Sequence, residues 1–291
     1  MPEISIVDTR NIIRIVKQKY ETDLSIFSLF PLRYKLDRII RLHHLKFTDN
    51  LIARINEDEE FFEIFMHELF NTEAELFRDP ELWIQLKDTI LHQLNGLFGE
   101  FNICLQAFSG CNELYSLLIL LEEAGFREKS NVFVSYNSEY DQSIIFNSSK
   151  RFKSGDINMD NLYKVFPDLD PNKYFTITEE KYTLKKNLLN NVFSSQSTSK
   201  IPGMDSGKTF DLPDQEGDLW SSESRFNLIL FRNKLINFSL SAQNQLINKL
   251  VGTLDKNGII IFGYKENISD YLRSSKDISE FYKNENIFKK R

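Results

Sequence analysis

The sequence predicts an α/β protein: a helical N-terminal part followed by a mostly parallel sheet covered on both faces. Three observations carry this. Up to about residue 90, apolar residues recur at helical spacing. From there on, short apolar runs alternate with helical stretches, which is the pattern of strands joined by crossover helices. The 291 residues are also more than one small core needs, so two domains are expected, residues 1–90 and 91–291.

In the N-terminal part, Ile12, Ile13, Ile15 and Val16 give an apolar face to a first helix that Asp8 or Thr9 would cap. Leu32, Leu36, Ile39, Ile40 and Leu42 mark a second helix. Thr48 or Asp49 starts a third, through Leu51, Ile52 and Ile55. Residues 61–70 form a fourth, and Pro80 stands in the first turn of a fifth, where its missing N–H costs nothing.

The sheet part opens with a strand at 101–107, a Ser109-Gly110 turn and a helix at 114–124. Further strands follow at 131–136, 226–231 and 258–263, with a helix at 242–254. A strand pair and a helix between Phe175 and Phe193 form a small antiparallel β insertion, about 150–193. A hairpin around Lys283-Asn284 closes the chain. The stretch from about 197 to 224 is rich in Ser, Gly, Asp and Pro and reads as a flexible loop, either functional or disordered. Trp220, Leu212 and Leu219 give it enough apolar surface to act as a flap over a cleft.

Composition narrows the function classes. Hydrophobic residues make up 41% and charged residues 27%, ordinary for a globular protein. A net charge of −6 argues against general nucleic-acid binding. The apolar run near 114–121 is too short to span a bilayer, and the first twenty or so residues lack an apolar signal core, so a cytoplasmic protein is expected. Cys104 and Cys111 alone do not make a disulfide framework. His43 and His44 point apart on a helix, while His67 and His92 lack ligand-spaced partners, so no metal site is expected.

The segment Phe226-Asn-Leu-Ile-Leu-Phe-Arg-Asn-Lys-Leu-Ile-Asn-Phe238 is the most informative. It resembles the strand and turn of the CheR family, the S-adenosylmethionine (SAM)-dependent chemotaxis-receptor glutamate methyltransferases. That family writes it roughly F-D-x-I-x-C-R-N-V-x-I-Y-F. Four more motifs come in the family's order. Arg78-Asp79-Pro80 matches the end of N-x-T-x-F-F-R-D-P. Ser109, Glu113, Tyr115 and Ser116 match C-S-x-G-E-E-P-Y-S. The stretch 132–138 is similar to I-x-A-T-D-I-D, and Gly263-Tyr-Lys-Glu-Asn267 matches G-x-S-E-N except at Lys265.

The resemblance implies a SAM-methyltransferase-type, Rossmann-like sheet with a helical N-terminal domain. It implies that Arg78 faces SAM and the acceptor. It also implies that Glu113, Arg232 and Asn233 hold SAM, with Ser109 and Gly110 in the cofactor turn. Several positions depart from the pattern: Thr72 and Ala74 stand for Asn and Thr, Cys111 for Gly, Tyr136 for the ribose-binding Asp, Ser197 for Asn, Lys234 for an apolar residue and Asn237 for Tyr. Read without the resemblance, Glu113 is a first-turn acid favoured by the helix dipole, and Arg78 is a surface charge beside Glu75 or Asp79.

Arg33, Lys35, Arg38 and Arg41 make the second helix basic, with Asp37 the only acid among them. Such a helix can dock an acidic partner helix, and the resemblance implies a receptor-like signalling protein as partner; the other reading is a solvated face offset by Glu57 to Glu63. Two functional readings emerge: a relative with a decayed SAM site, weak or absent cofactor binding and a protein-interaction or regulatory role, or an active, divergent glutamate O-methyltransferase.

Overall fold

The computed structural model describes residues 4–70, 75–106, 112–136, 139–146, 152–153, 159–178, 181–190, 192–196, 210–212, 215–217, 225–268, 271–272, 275–282 and 285–291. Helices α1 (Ile6–Tyr20), α2 (Leu29–Leu42), α3 (Thr48–Glu57) and α4 (Glu59–Phe70) come first. The cap of α1 is Ser5, not Asp8 or Thr9: its hydroxyl accepts from Asp8 N at 3.0 Å, and Thr9 is buried one turn in. The capping oxygen has to precede the unpaired N–H it serves by two or three residues, which Asp8 and Thr9 do not.

Helices α5 (Pro80–Gln85) and α6 (Leu91–Phe98) run on through a π turn at Leu86–Ile90, with Pro80 at the first position. Then come β1 (Phe101–Gln106), α7 (Asn112–Glu123), β2 (Ser130–Tyr136), α8 (Glu139–Phe146), β3 (Phe152–Lys153), α9 (Met159–Val165), β4 (Phe175–Thr178) and β5 (Lys181–Leu184). Strands β6 (Val192–Gln196), β7 (Phe210–Leu212), β8 (Gln215–Gly217), β9 (Phe226–Phe231), helix α10 (Leu240–Thr253), β10 (Leu254–Phe262), β11 (Ile278–Glu280) and β12 (Ile287–Lys290) complete the order.

The main sheet runs β11-β12-β10-β9-β1-β2-β6. Its pairings from β10 through β6 are parallel, and β12 is antiparallel to both neighbours. The strand read as the end of the insertion is the edge of this sheet, with Val192 beside Val132. Strands β3, β5 and β4 form a separate antiparallel sheet. Within the stretch expected to be a loop, β7 and β8 pair antiparallel; the other residues of 197–224 lie outside those described.

Two-residue alternation sorts the strands into two cores. Cys104, Phe133, Ile229, Phe231, Ile260 and Phe262 face a cluster shared with α1 to α4 and α10. Ile103, Leu105, Val132, Val134, Leu228, Leu230, Ile259 and Ile261 face the opposite cluster, with Trp83, Leu86 and α7. The β9 stretch is buried throughout, as a strand covered on both faces must be.

Backbone bonds tie the helical layer to the sheet. Ser28 N donates to the Asn237 carbonyl at 2.9 Å and Ser239 N to the Ile26 carbonyl at 2.7 Å, around a Phe27–Phe238 bridge. The turn after β9 is equally fixed. Asn233 has φ +59°, and a Cβ on Gly263 would lie 2.5 Å from Asn233 Oδ1 and 2.6 Å from its N. Gly263→Ala is therefore expected to cost about 1–3 kcal/mol, read as a lower urea midpoint with unchanged slope.

Candidate functional site

Strand order reverses between β1 and β9: β2 and β6 extend to one side, β10 and β12 to the other. The ends of β1 and β9 are therefore where an open α/β sheet presents its crevice. Glu113, in the first turn of α7, and Arg232, just past β9, both reach this point.

The Arg232 side chain is 2% exposed. Its Nη2 donates to Asp79 Oδ2 at 2.5 Å and to the Arg78 carbonyl at 3.1 Å, and Nη1 to Glu113 Oε1 at 3.3 Å. The guanidinium lies 5.6 Å from the Trp83 ring centre. Arg232 Nε is buried and has no hydrogen-bond partner among the described residues.

The Arg78-Asp79 turn is held on the same spot. Trp83 Nε1 donates to the Arg78 carbonyl at 2.9 Å, and Phe77 N donates to Ser116 Oγ at 2.7 Å. Phe77 and Asp79 both have positive φ, +51° and +58°. Each such non-glycine conformation costs on the order of 1–3 kcal/mol, so the surrounding bonds hold this turn in shape. The side chain of Asp79 pairs with Arg232, leaving the Arg78 side chain to face a cavity.

Lys234, which stands where the resemblance has an apolar residue, is buried as that position requires. Its side chain is 2% exposed, with Nζ 3.7 Å from Glu113 Oε2 and 5.5 Å from the Phe231 ring centre. Burial lowers its pKa; Glu113 and Glu266 pull it back up, while Arg232 opposes them. Each Glu113 oxygen thus faces a cation, Oε1 toward Arg232 and Oε2 toward Lys234. Nearby, Glu266 ties down the turn: Oε1 accepts from Lys234 N and Leu235 N at 2.5 Å each, and Oε2 from Gly263 N at 2.5 Å.

Tyr136 ends β2 with its ring buried in the core that holds Trp83, so β2 closes without a carboxylate at that residue. Thr72, Ala74, Ser109, Gly110, Cys111 and Ser197 lie outside the described residues. Asn233 and Asn237 line a cavity of about 980 Å³ together with Ile236 and Arg78. Its far wall is α2 and the turn at its C-terminal end: Tyr34, Lys35, Arg38, Arg41, Leu42 and His44. Among the described residues the lining contains several cations and no carboxylate.

Three members of the basic set line this cavity, and one does not. Arg33 is turned to the N-terminal segment, donating Nε and Nη2 to the Ile4 carbonyl at 2.9 and 2.7 Å. Asp37, buried, accepts from Ile4 N at 3.2 Å and from Arg41 Nη2 at 3.2 Å. Arg38 lies 3.8 Å from Glu68. The helix therefore uses part of its charge for its own packing and presents the rest to the cavity.

No helix is long and apolar enough to cross a membrane among the described residues, and no group of three or more His, Cys, Asp or Glu side chains there could hold a metal ion.

A seven-stranded, mostly parallel sheet with this strand order is consistent with a methyltransferase-type α/β fold. Over 98% of its length the chain is 22% identical to the protein named "Putative methyltransferase Cher3" from Pseudomonas putida, 97% of which is covered. No family model matches the chain.

A pH prediction arises from Lys234. Its folded pKa lies below the ordinary lysine value of 10.5, so between the two the unfolded chain binds more protons and stability rises with pH. Urea midpoints of wild type and Lys234→Met, taken from about pH 7 to about pH 10, should show wild type gaining on the variant as pH rises. A difference that is flat with pH is the contrary result.

Proposed function

We propose that this chain is a CheR-like methyltransferase-fold protein of a signalling or chemotaxis-type pathway. Its SAM site has decayed, and its cleft engages an acidic protein segment, with little or no methyl transfer. On this reading, residues 1–90 form a helical domain that supplies α2 and Arg78 to the cleft, and residues 91–291 supply Asn233, Ile236 and Asn237.

The observation that carries the reading is the cavity between α2 and the turn after β9. Lys35, Arg38, Arg41 and Arg78 line it, and no carboxylate does among the described residues. Such a surface steers and orients an acidic ligand. Tyr34, Leu42 and Ile236, exposed by 41%, 48% and 48%, add apolar contact where a partner helix would lie. The full-length similarity to a protein named as a methyltransferase supports the family assignment.

Weak or absent SAM binding rests on Tyr136 at the end of β2 and on Glu113 in the first turn of α7. Tyr136 cannot accept the ribose hydroxyls as a carboxylate would, a loss of about 1.5–3 kcal/mol for a charged hydrogen bond. Glu113, which the resemblance assigns to SAM, already faces Arg232 and Lys234.

A second reading is favoured by a specific observation. Arg78, Glu113, Arg232 and Asn233, the retained positions, gather around one turn. In an active glutamate O-methyltransferase, Arg78 would orient the acceptor carboxylate and Glu113, Arg232 and Asn233 would hold SAM, which would supply the methyl group.

Two measurements separate these readings. A fluorescent Glu-rich helical peptide should bind wild type. Its affinity should fall steeply with salt, as the Debye length drops from about 10 Å at 0.1 M to about 3 Å at 1 M. The Arg38→Glu, Arg41→Glu double variant should bind at least about tenfold more weakly; equal binding by both proteins removes the acidic-partner reading. Calorimetric titration with SAM should give weak or no binding. A low-micromolar dissociation constant, together with methyl incorporation into a Glu-containing acceptor, establishes the second reading instead.

A further inference from the structure

We infer that the cavity between α2 and the turn after β9 is a site for a small ligand with two linked phosphoryl groups, held by Arg38, Arg41 and Arg78. The inference rests on the reading of this cavity as a basic cleft for acidic ligands and goes further by naming the anion's chemistry and its size.

The first support is charge. Arg38, Arg41 and Arg78 line the cavity with Lys35, and no carboxylate lines it among the described residues. Lys35, Arg38 and Arg41 follow at three-residue spacing on α2, so neighbouring Cβ atoms stand about 5–6 Å apart on one face. Like charges so close repel, and a compact polyanion relieves all of them at once. One carboxylate occupies one guanidinium fork. A phosphoryl group brings a charge of about −1.5 to −2 and three acceptor oxygens, so it engages several forks together.

The second is the mounting of the arginines. The Arg78 carbonyl accepts from Trp83 Nε1 at 2.9 Å and from Arg232 Nη2 at 3.1 Å, and Arg78 N donates to the Glu75 carbonyl at 3.2 Å. The main chain is thus fixed, while the half-buried guanidinium forms no hydrogen bond or ion pair among the described residues. A fixed base with an unengaged cation at its tip is preorganised for an incoming anion. The two arginines of α2 are steadied from behind. Arg41 Nη2 donates to Asp37 Oδ2 at 3.2 Å, and Arg38 Nη1 lies 3.8 Å from Glu68 Oε2. Neither acid lines the cavity, so each orients its arginine without filling the space in front of it.

The third is size. The volume of about 980 Å³ lies at the upper end of small-ligand pockets, about 300–1,000 Å³. It holds a diphosphate with room for an organic group. Tyr34, 41% exposed and set edge-on against Phe30 at 4.8 Å, offers that group a ring. A long polyanion is a poor fit, because the chain as a whole carries −6 and repels it outside the cavity.

The test is calorimetric titration in magnesium-free buffer at constant ionic strength. The probes are inorganic pyrophosphate, a nucleoside 5′-diphosphate and citrate, which brings comparable charge as carboxylates. Wild type should bind pyrophosphate at least about tenfold more tightly than citrate, and Arg78→Gln should weaken pyrophosphate binding by about tenfold or more. Arg41→Gln changes a side chain that is 71% exposed and carries the comparison if thermal melts show Arg78→Gln to be unfolded. Tighter binding of the nucleoside diphosphate than of pyrophosphate identifies a nucleotide as the source of the group. Equal or weaker binding identifies a free inorganic diphosphate, and either result supports the inference. Citrate binding as tight as pyrophosphate binding overturns it, as does pyrophosphate affinity unchanged in the folded variants or absent in wild type. The Glu-rich peptide separates this failure from that of the acidic-segment reading. Peptide binding without pyrophosphate binding leaves that reading standing and removes this inference; pyrophosphate binding without peptide binding does the reverse.

Discussion

Arg232 leaves β9 at the sheet's switch point, and its guanidinium is almost wholly removed from water. Burying such a charge costs several kcal/mol unless it is paired and hydrogen-bonded. Asp79, the Arg78 carbonyl and Glu113 meet that demand, from stretches far from Arg232 in sequence. The start of α5, the first turn of α7 and the exit of β9 are thereby held at one point. The positive φ values of Phe77 and Asp79 fit this arrangement. Local propensity disfavours them, and bonds from Ser116, Trp83 and Arg232 hold the segment that carries them.

The turn after Arg232 connects this charge cluster to the cavity. Glu266 satisfies the N–H groups of Lys234, Leu235 and Gly263, and Gly263 is small enough to lie against Asn233. Beyond the turn, residues 237–239 pair with residues 26–28 and set α2 across from it. The basic wall of the cavity is thus placed by main-chain bonds, while its charge comes from Lys35, Arg38 and Arg41. One short segment, 232–239, joins the sheet, the charge cluster and the helical layer.

Much of the fold could be read from pattern. The runs at 101–106 and 226–231 send apolar side chains to both covered faces, Cys104 and Ile229 to one and Ile103, Leu105, Leu228 and Leu230 to the other, and alternation with helices implies a parallel sheet. Pro80 marked the start of α5. The cap of α1 was misassigned because Ser5, Asp8 and Thr9 are all capping types, and only the backbone path says which oxygen reaches the unpaired N–H. Strand β6 was read with the insertion because a short edge strand, alternating only weakly, looks alike in either sheet. Among the site residues, Arg78, Glu113, Arg232 and Asn233 stood out through motif order. Lys234 stood out only as a departure from an apolar position; its burial beside Glu113 did not, since a lysine in a turn ordinarily reads as solvated.

The sequence by itself determined the class of sheet, the alternation of its two buried faces, the basic character of α2 and the order of the motifs around the switch point. These are local or periodic properties, carried by residue type and spacing. Only the tertiary structure decided which charges meet. It set Arg232 against Asp79 and Glu113, buried Lys234 beside Glu113, turned Arg33 away to Ile4, and left Lys35, Arg38, Arg41 and Arg78 facing one cavity. The physical reason is that a charge's role depends on its burial and its partner. Both are set by contacts between segments far apart in sequence, from Arg33 with Ile4 to Arg232 with Glu113 and Ser28 with Phe238.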